Sequence, residues 1–142
     1  MGSDTPPPPA GWPGAAPTAG GSAADINAAA DVLNVRWPED YAAFVIVYGG
    51  AEGFAGENYF ALTAPADLPR DAAAGDFLPH LIPFASNGGG EAYCFRTDRP
   101  DAQPWPVVLV PWIGGGLPEA VPIAESFTAF LNALPVWTWP GC

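Results

Sequence analysis

The sequence predicts a single α+β domain in which helices cover one face of a sheet. Two amphipathic helical patterns stand near the start, short apolar segments separated by glycine turns occupy the middle, and a third helical pattern closes the chain. We expect one antiparallel-type mixed sheet of about five or six strands, with two N-terminal helices and one C-terminal helix packed on it. The length of 142 residues is that of one domain.

The two N-terminal helices are predicted from apolar residues that recur every three or four positions. The first covers Ala23–Asn34, with Ser22 as its N-cap. The second begins at Pro38, a residue favoured at the first helical position. It ends before Gly49 and Gly50, which we expect to form a left-handed C-cap.

The middle of the chain predicts short strands, because apolar and β-branched residues alternate there with glycine-rich turns. Pro83 requires an edge position or a bulge within its strand. The last helix covers Ala124–Leu134 and ends at Pro135. The predicted strands are Tyr59–Leu62, Leu81–Ala85, Glu91–Thr97, Val107–Val110 and Ala120–Pro122.

Residues 1–22 differ in composition from the rest, since 15 of the 22 are proline, glycine or alanine. Such a segment buries too little apolar surface to offset its ordering entropy. We therefore predict a disordered leader over 1–22 and a globular domain over 23–142. Pro6 and Pro9 also form a PxxP pattern that an SH3-like domain could dock, which leaves a second interpretation of the leader open.

The charge balance limits the classes of partner. The chain has 15 acidic and 4 basic residues, a net charge of -11, and no lysine. Nucleic acids and anionic membranes both require clustered basic residues, so neither is expected as a partner. A basic protein is the natural complement. No segment has the pattern of a signal peptide or a membrane span, and two unpaired cysteines suit a reducing cytoplasm, where we expect the protein to act.

Three segments carry a family resemblance. The first is a Trp-Pro-Glu-Asp-Tyr helix start that ends in Gly-Gly, the second is a strand, glycine turn and returning strand, and the third is a Ser-Phe-x-x-Phe-Leu helix. In this order and spacing they resemble the SUKH superfamily, the Syd, US22-like and cell-wall-assembly-regulator group. The residues that match its pattern, all of which we expect to maintain the fold, are Pro38, Tyr41, Phe44, Gly49, Gly89, Gly90, Glu91, Ser126, Phe127, Phe130 and Leu131.

The resemblance implies a function by binding. Bacterial members of the superfamily are mostly immunity proteins that neutralise a cognate polymorphic toxin, and they share no catalytic constellation. We therefore expect an immunity protein that occludes the active or substrate-binding face of its toxin. The alternative is a regulatory scaffold or interaction module with an ordinary cellular partner, a role that fungal relatives suggest and low-complexity flanks favour.

The residues themselves predict no enzyme, cofactor or metal. The lone histidine, His80, has no evident partner for acid–base chemistry, and one histidine with two distant cysteines cannot form a usual zinc site. Neither glycine triplet fits a phosphate-binding loop. Acidic residues in predicted loops are the better functional candidates, because charged loops suit partner recognition. The candidates are Glu52, Glu57, Asp67, Asp71 and Asp76.

Six tryptophans are many for this length, and their role is left open by the sequence. Tryptophan is enriched at the energetic centres of interfaces, but it also completes small hydrophobic cores. The segment Trp137–Trp139 follows the last predicted helix. We expect it either to fold back on the sheet or to present aromatic rings to a partner.

Overall fold

The structure is a computed structural model that describes residues 6–12, 23–74, 77, 80–98 and 105–138. Within these residues the chain forms four α-helices and six β-strands. The helices are α1 (Ala23–Leu33), α2 (Glu39–Tyr48), α3 (Leu68–Ala73) and α4 (Phe127–Ala133). The strands are β1 (Glu52–Ala55), β2 (Asn58–Leu62), β3 (Leu81–Ser86), β4 (Glu91–Arg96), β5 (Val107–Pro111) and β6 (Val121–Ala124).

The sheet is an antiparallel meander, because every strand pairs with its neighbour in sequence, in the order β1-β2-β3-β4-β5-β6. This confirms the predicted α+β fold and the expected number of strands. The register of β3 against β4 shifts between Pro83 and Ala85, so Phe84 is the extra residue of a bulge. The bulge predicted around Pro83 is therefore present, and it lies in an inner strand.

Alternate strand residues face the helices and form the main core on that face, which we call the helix side. Phe60, Phe84, Phe95 and Leu109 project there from four strands and belong to one buried cluster. The helices contribute fully buried aromatic rings to the same cluster, namely Tyr41, Phe44, Phe127 and Phe130. Burial of these rings is the dominant stabilisation of the fold, because each removes a large apolar area from water.

Two hydrogen-bonding side chains determine where α4 begins and how it attaches to α2. The hydroxyl Oγ of Ser126 accepts a hydrogen bond from the backbone N–H of Ala129 at 3.1 Å, which is an N-cap. Asp40 Oδ2 accepts from the backbone N–H and the hydroxyl of Thr128 at 3.0 and 2.7 Å. The predicted start at Ala124 is three residues too early, because Ala124 pairs with Val107 as the end of β6.

The end of α2 differs from the predicted left-handed cap at Gly49. Only Gly50 has a positive φ, of 91°, whereas Gly49 has a φ of −53°. Gly49 is required for a different reason: a Cβ there would lie 2.7 Å from the carbonyl oxygen of Val45 and 2.8 Å from Cδ of Pro65. The close approach of the Val45 carbonyl group and the Pro65 ring therefore excludes a side chain at this position.

The opposite face of the sheet carries a second, smaller core that covers only the central strands. Leu81, Cys94 and Val108 point to this face and are buried with Phe77. Trp112 and Leu117, from the loop after β5, pack against the same cluster. Strands β1 and β2 lie beyond this cover, so their outward side chains remain accessible; we call this part of the sheet the open side.

The predicted leader contributes one residue to the core. Trp12 is buried among Phe44, Tyr48 and Phe60, and its indole Nε1–H donates a 2.9 Å hydrogen bond to the carbonyl oxygen of Phe60. This contact differs from the prediction of a disordered segment, because one large aromatic ring can anchor an otherwise poor sequence. Residues 1–5 and 13–22, including the predicted cap Ser22, lie outside the described residues, and the domain boundary at 22/23 stays a prediction.

The docking of residues 6–12 also bears on the PxxP interpretation. Pro6 and Pro9 are buried against the domain, whereas Pro7 and Pro8 are exposed. An SH3-like domain would need Pro6 and Pro9 on the surface. The PxxP interpretation is therefore disfavoured by the position of the segment.

Among the described residues, no helix has the length and apolarity that crossing a membrane would need.

Candidate functional site

The turn between β1 and β2 and the turn between β3 and β4 lie at the same end of the sheet. The antiparallel register pairs Ala61 with Ser86, so the chain beyond Ser86 continues alongside the start of β2. The contact at Gly88 shows this directly: a Cβ there would lie 2.9 Å from Cδ2 of Tyr59. The two turns thus form the walls of a groove.

The groove has a volume of about 600 Å³ and opens widely to solvent. Its lining combines aromatic rings, one carboxylate, two amide side chains and glycine backbone, and no lining residue is basic. The lining residues are Phe54, Glu57, Asn58, Tyr59, Asn87, Gly88 and Gly89. We treat this groove on the open side as the candidate site because concave surfaces with mixed apolar and polar lining suit binding.

The turn after β3 is ordered by side chains. Asn87 Oδ1 accepts hydrogen bonds from the backbone N–H groups of Gly89 and Glu91 at 2.8 and 3.1 Å. Asn87 Nδ2 donates to Glu91 Oε1 at 2.8 Å, and the hydroxyl of Ser86 accepts from the N–H of Gly88. Glu91, a residue of the family pattern, thereby holds the turn in shape.

The turn after β1 is attached to the C-terminal part of the chain. Asn58 Nδ2 donates to the carbonyl oxygens of Leu134 and Trp137 at 2.7 and 2.8 Å. A Cβ at Gly56 would clash with the backbone of Pro135, so the two segments approach as closely as glycine permits. Both walls of the groove are therefore held in place by contacts within the domain.

An aromatic pair, exposed Phe54 and half-buried Tyr59, lines the groove. Phe54 and Tyr59 are directly opposite in the β1–β2 register, and their ring centroids are 5.1 Å apart at an interplanar angle of 76°. Phe54 is 59% exposed, which is unusual for a phenylalanine in a sheet. The Tyr59 hydroxyl donates to Glu52 Oε1, and this hydrogen bond to the carboxylate raises the pKa of Tyr59.

The structure separates the predicted acidic residues into two groups. Glu52 lies in β1 and Glu57 in the following turn; both are exposed beside the aromatic pair. Asp67 and Asp71 lie further along, where Arg70 forms ion pairs with both at 3.6 and 3.3 Å. Arg70 partly neutralises the second group. Asp76 lies outside the described residues.

Three of the four acids that the structure describes lie in helices or strands, whereas the sequence predicted loops for most of them. Glu52 belongs to strand β1, and Asp71 belongs to helix α3, where its Oδ2 also accepts a 3.3 Å hydrogen bond from the Thr63 hydroxyl. Asp67 ends a short 3-10 helix, Pro65–Asp67, and Glu57 alone occupies a turn. The sequence conceals both elements, since β1 has a glycine at its second position and α3 has only six residues.

The groove residues that sequence reasoning missed are Phe54, Tyr59, Asn58 and Asn87. Tyr59 was predicted as a strand residue only. A signal existed for Asn87, because asparagine before glycine is typical of turns that its own side chain stabilises. Phe54 stands between Gly53 and Ala55, and nothing in that pattern indicates an exposed ring.

The residues considered for chemistry lie apart from one another. The ring of His80 is exposed, and its backbone carbonyl accepts a 2.7 Å hydrogen bond from Thr97. Cys94 is buried in the second core, and burial raises the pKa of its thiol. Within the described part of the chain, no three histidine, cysteine or acidic side chains come together as metal ligands would.

The tryptophans divide between core and surface. Trp12, Trp37 and Trp105 are buried on the helix side, and Trp112 and Trp137 are half-buried. Trp137 packs against the main cluster, so this part of the C-terminal segment folds back on the domain. Trp139 lies outside the described residues.

The fold and the sequence motifs agree with a comparison against protein families. No curated protein matches the chain. A family model for the SMI1/KNR4 family (SUKH-1) matches residues 20–133, a range that contains all three motif segments. The resemblance found in the sequence is thereby confirmed, and the chain belongs to the SMI1/KNR4 family (SUKH-1).

Proposed function

We propose that this protein is an immunity protein that binds a cognate toxin and occludes its active or substrate-binding face. The observation that carries the proposal is membership in the SUKH-1 family over residues 20–133, because the bacterial relatives in this superfamily are mostly immunity proteins. The proposed action is binding rather than catalysis, and the proposed site of action is the cytoplasm.

The proposed partner is a basic toxin domain. The net charge of -11 favours approach by a positively charged surface, and toxins that act on nucleic acid need such a surface to hold phosphate. Glu52 and Glu57 lie on the open side of the sheet, where no other part of the described chain covers them. Asp67, Asp71 and Asp76 are proposed as further contacts for the partner.

A protection assay tests the proposal. The neighbouring open reading frame is cloned, and its C-terminal domain is expressed under tight control with and without this protein. We expect killing by that domain alone, rescue by co-expression, and a complex that purifies intact. Toxicity without rescue or complex would contradict the proposal and favour the alternative, an interaction module with an ordinary cellular partner, which a pull-down from the native cell would then identify.

Charge neutralisation tests the acidic surface separately. The double variant Glu52→Gln/Glu57→Gln should slow association with the toxin by roughly threefold at low salt and leave dissociation nearly unchanged, because surface charges act mainly on encounter. Stopped-flow association at several salt concentrations measures this. Asp31→Asn/Glu125→Gln is the matched control, since both residues are exposed acids, one in α1 and one between β6 and α4. Equal slowing by both variants would show that only net charge matters.

A further inference from the structure

The groove on the open side has features that the fold itself does not need. Phe54 exposes most of its ring, and its neighbours Tyr59 and Glu57 face the same depression. We propose that this groove receives an arginine side chain of the partner protein, so that one guanidinium group anchors the complex. The inference rests on the proposed function for the identity of the partner and names the contact that the partner makes.

The electrostatic surroundings of the groove select a cation. Glu57 lines it, and Glu52 lies beside it through the hydrogen bond with the Tyr59 hydroxyl. Within the described chain neither carboxylate forms an ion pair, whereas the nearest acids along the sequence, Asp67 and Asp71, share Arg70. A positive group from outside would therefore find two carboxylates that no cation of the described residues neutralises.

The aromatic pair favours arginine over lysine. Phe54 and Tyr59 meet at an interplanar angle of 76°, and the Phe54 side chain, which lines the groove, stays 59% exposed and so is accessible to a partner. A guanidinium group is planar and weakly hydrated, and it can stack on a ring while it donates two hydrogen bonds to a carboxylate. An ammonium group is a compact, strongly hydrated charge and lacks the stacking contact.

The walls of the groove are ordered before any partner arrives. Asn87 holds one turn through the N–H groups of Gly89 and Glu91, and Asn58 ties the other turn to the C-terminal segment. Gly88 and Gly89 have no side chains that could fill the opening between the two turns. A preformed groove loses little conformational entropy when it binds, so even a single side chain can be recognised.

A peptide titration tests the inference without the toxin. Full-length protein labelled with ¹⁵N is titrated with the blocked tripeptide Gly-Arg-Gly, with its lysine counterpart and with its citrulline counterpart, which has nearly the same shape but no charge. We expect saturable shifts at the amides of Glu57, Gly88 and Gly89 with the arginine peptide. We expect roughly fivefold weaker binding of the citrulline peptide, and intermediate binding of the lysine peptide.

Two variants test the contributions of the aromatic ring and of the carboxylate charge separately. Phe54→Leu keeps an apolar side chain without a ring face, and Glu57→Gln keeps the size without the charge. Each should weaken the arginine peptide by roughly threefold, while Val47→Ala, at an exposed apolar position of α2, should leave binding unchanged. Equal binding of the arginine and citrulline peptides, or shifts spread over the acidic surface, would overturn the inference.

The test also distinguishes this inference from the proposed function. Failure of the wild-type protein to rescue cells from the toxin removes the proposed function, whatever the peptides do. A second outcome is that the double variant Phe54→Leu/Glu57→Gln rescues the cells and binds the toxin with unchanged affinity. That result would contradict the proposed arginine contact and still support the proposed immunity function. Rescue with an affinity loss of roughly tenfold in this double variant, together with the peptide result, supports both.

Discussion

The two faces of the sheet use aromatic residues in opposite ways. On the helix side, Phe84 is fully buried, stacks on Phe95 at 4.4 Å, and meets Phe127 and Phe130 edge to face. On the open side, Phe54 meets one ring, Tyr59, and remains 59% exposed. The same residue type thus serves packing on one face and is available for recognition on the other.

The two faces also differ in how many of their residues the fold requires. The residues that match the family pattern lie in the helix layer, as Tyr41 and Phe127 do, or in and beside turns, as Glu91 does at the start of β4. The groove residues Phe54 and Glu57 are outside that pattern, and no part of the core depends on them. Because neither core includes the outward residues of β1 and the turn after it, this part of the surface can change to suit a partner while the fold is kept.

Truncation of one phenylalanine on each face should have the largest effect. Phe84→Ala should reduce the free energy of unfolding by about 3–5 kcal/mol, whereas Phe54→Ala should cost less than about 1 kcal/mol, since only buried rings leave a cavity. Urea denaturation followed by circular dichroism measures both. If Phe84→Ala does not fold, Phe84→Leu should still cost more than Phe54→Leu; the reverse order would contradict the account of the two faces.

Trp12 tests whether the helix side extends into the N-terminal segment. Trp12→Ala should cost about 3 kcal/mol, because it removes a buried ring and leaves the carbonyl oxygen of Phe60 without its indole donor. Trp12→Phe should cost less, since it loses the hydrogen bond and part of the ring. Thermal unfolding measures both, with exposed Pro8→Ala as the control. A cost of Trp12→Ala below about 0.5 kcal/mol would mean that the segment is not docked in solution.

Substitution of Asp40 tests the hydrogen bonds that join α2 to α4. Asp40→Ala should cost about 1–2 kcal/mol, because the N–H and the hydroxyl of Thr128 lose their acceptor. Asp40→Asn retains an oxygen acceptor and should cost less. The control is Glu39→Ala, an exposed acid in the same helical turn. Equal costs for Asp40→Ala and Glu39→Ala in urea denaturation would show that the tie to α4 contributes nothing.

Tyr41 gives the smallest effect at neutral pH. Its hydroxyl is fully buried and has no hydrogen-bond partner in the described ranges, so Tyr41→Phe should change the free energy of unfolding by less than about 0.5 kcal/mol, or raise it. Burial raises the pKa of Tyr41 above its ordinary value of 10.0. The unfolded chain therefore releases this proton first, and stability falls as the pH rises above that value.

The same variant should make this alkaline loss of stability less steep, because phenylalanine has no proton to release. Urea denaturation at pH 7 and at pH 10.5 would measure the difference between the wild type and Tyr41→Phe. Tyr93→Phe is a useful comparison, since the Tyr93 hydroxyl donates a 3.0 Å hydrogen bond to the carbonyl oxygen of Tyr59. A clear loss of stability in Tyr41→Phe at pH 7 would show that the Tyr41 hydroxyl does have a hydrogen-bond partner.

Much of the secondary structure could be predicted because it depends on local signals. Pro38 precedes α2, and the predicted strands overlap the observed β2 to β6. The incorrect predictions concern elements too short to show a periodic pattern and residues whose spacing suits both a helix and a strand. Helix α3 has six residues, and β1 has four, with a glycine among them. Ala124 continues the apolar spacing of α4 but pairs with Val107 in the sheet, because tertiary pairing overrides propensity at element ends.

The candidate site could be predicted only in part. Glu52 and Glu57 were selected for their charge, and the structure places both beside the groove. Asp67 and Asp71 were selected by the same argument, yet Arg70 lies between them in an ion-paired cluster. Spacing along the chain does not distinguish these cases, because the neighbours that decide them are set by the folded path.

The acidic charge, the α+β class, the family and the aromatic residues that line the helix side could all be predicted from the amino-acid sequence. These follow from composition, from short periodic patterns and from caps, all of which act within a few residues. Only the tertiary structure decided that Trp12 enters the core and that Phe54 stays out of it. It also decided that two turns, around Glu57 and Gly88, meet to form a groove. These features require contacts between residues far apart in sequence, which arise when antiparallel pairing brings distant segments together.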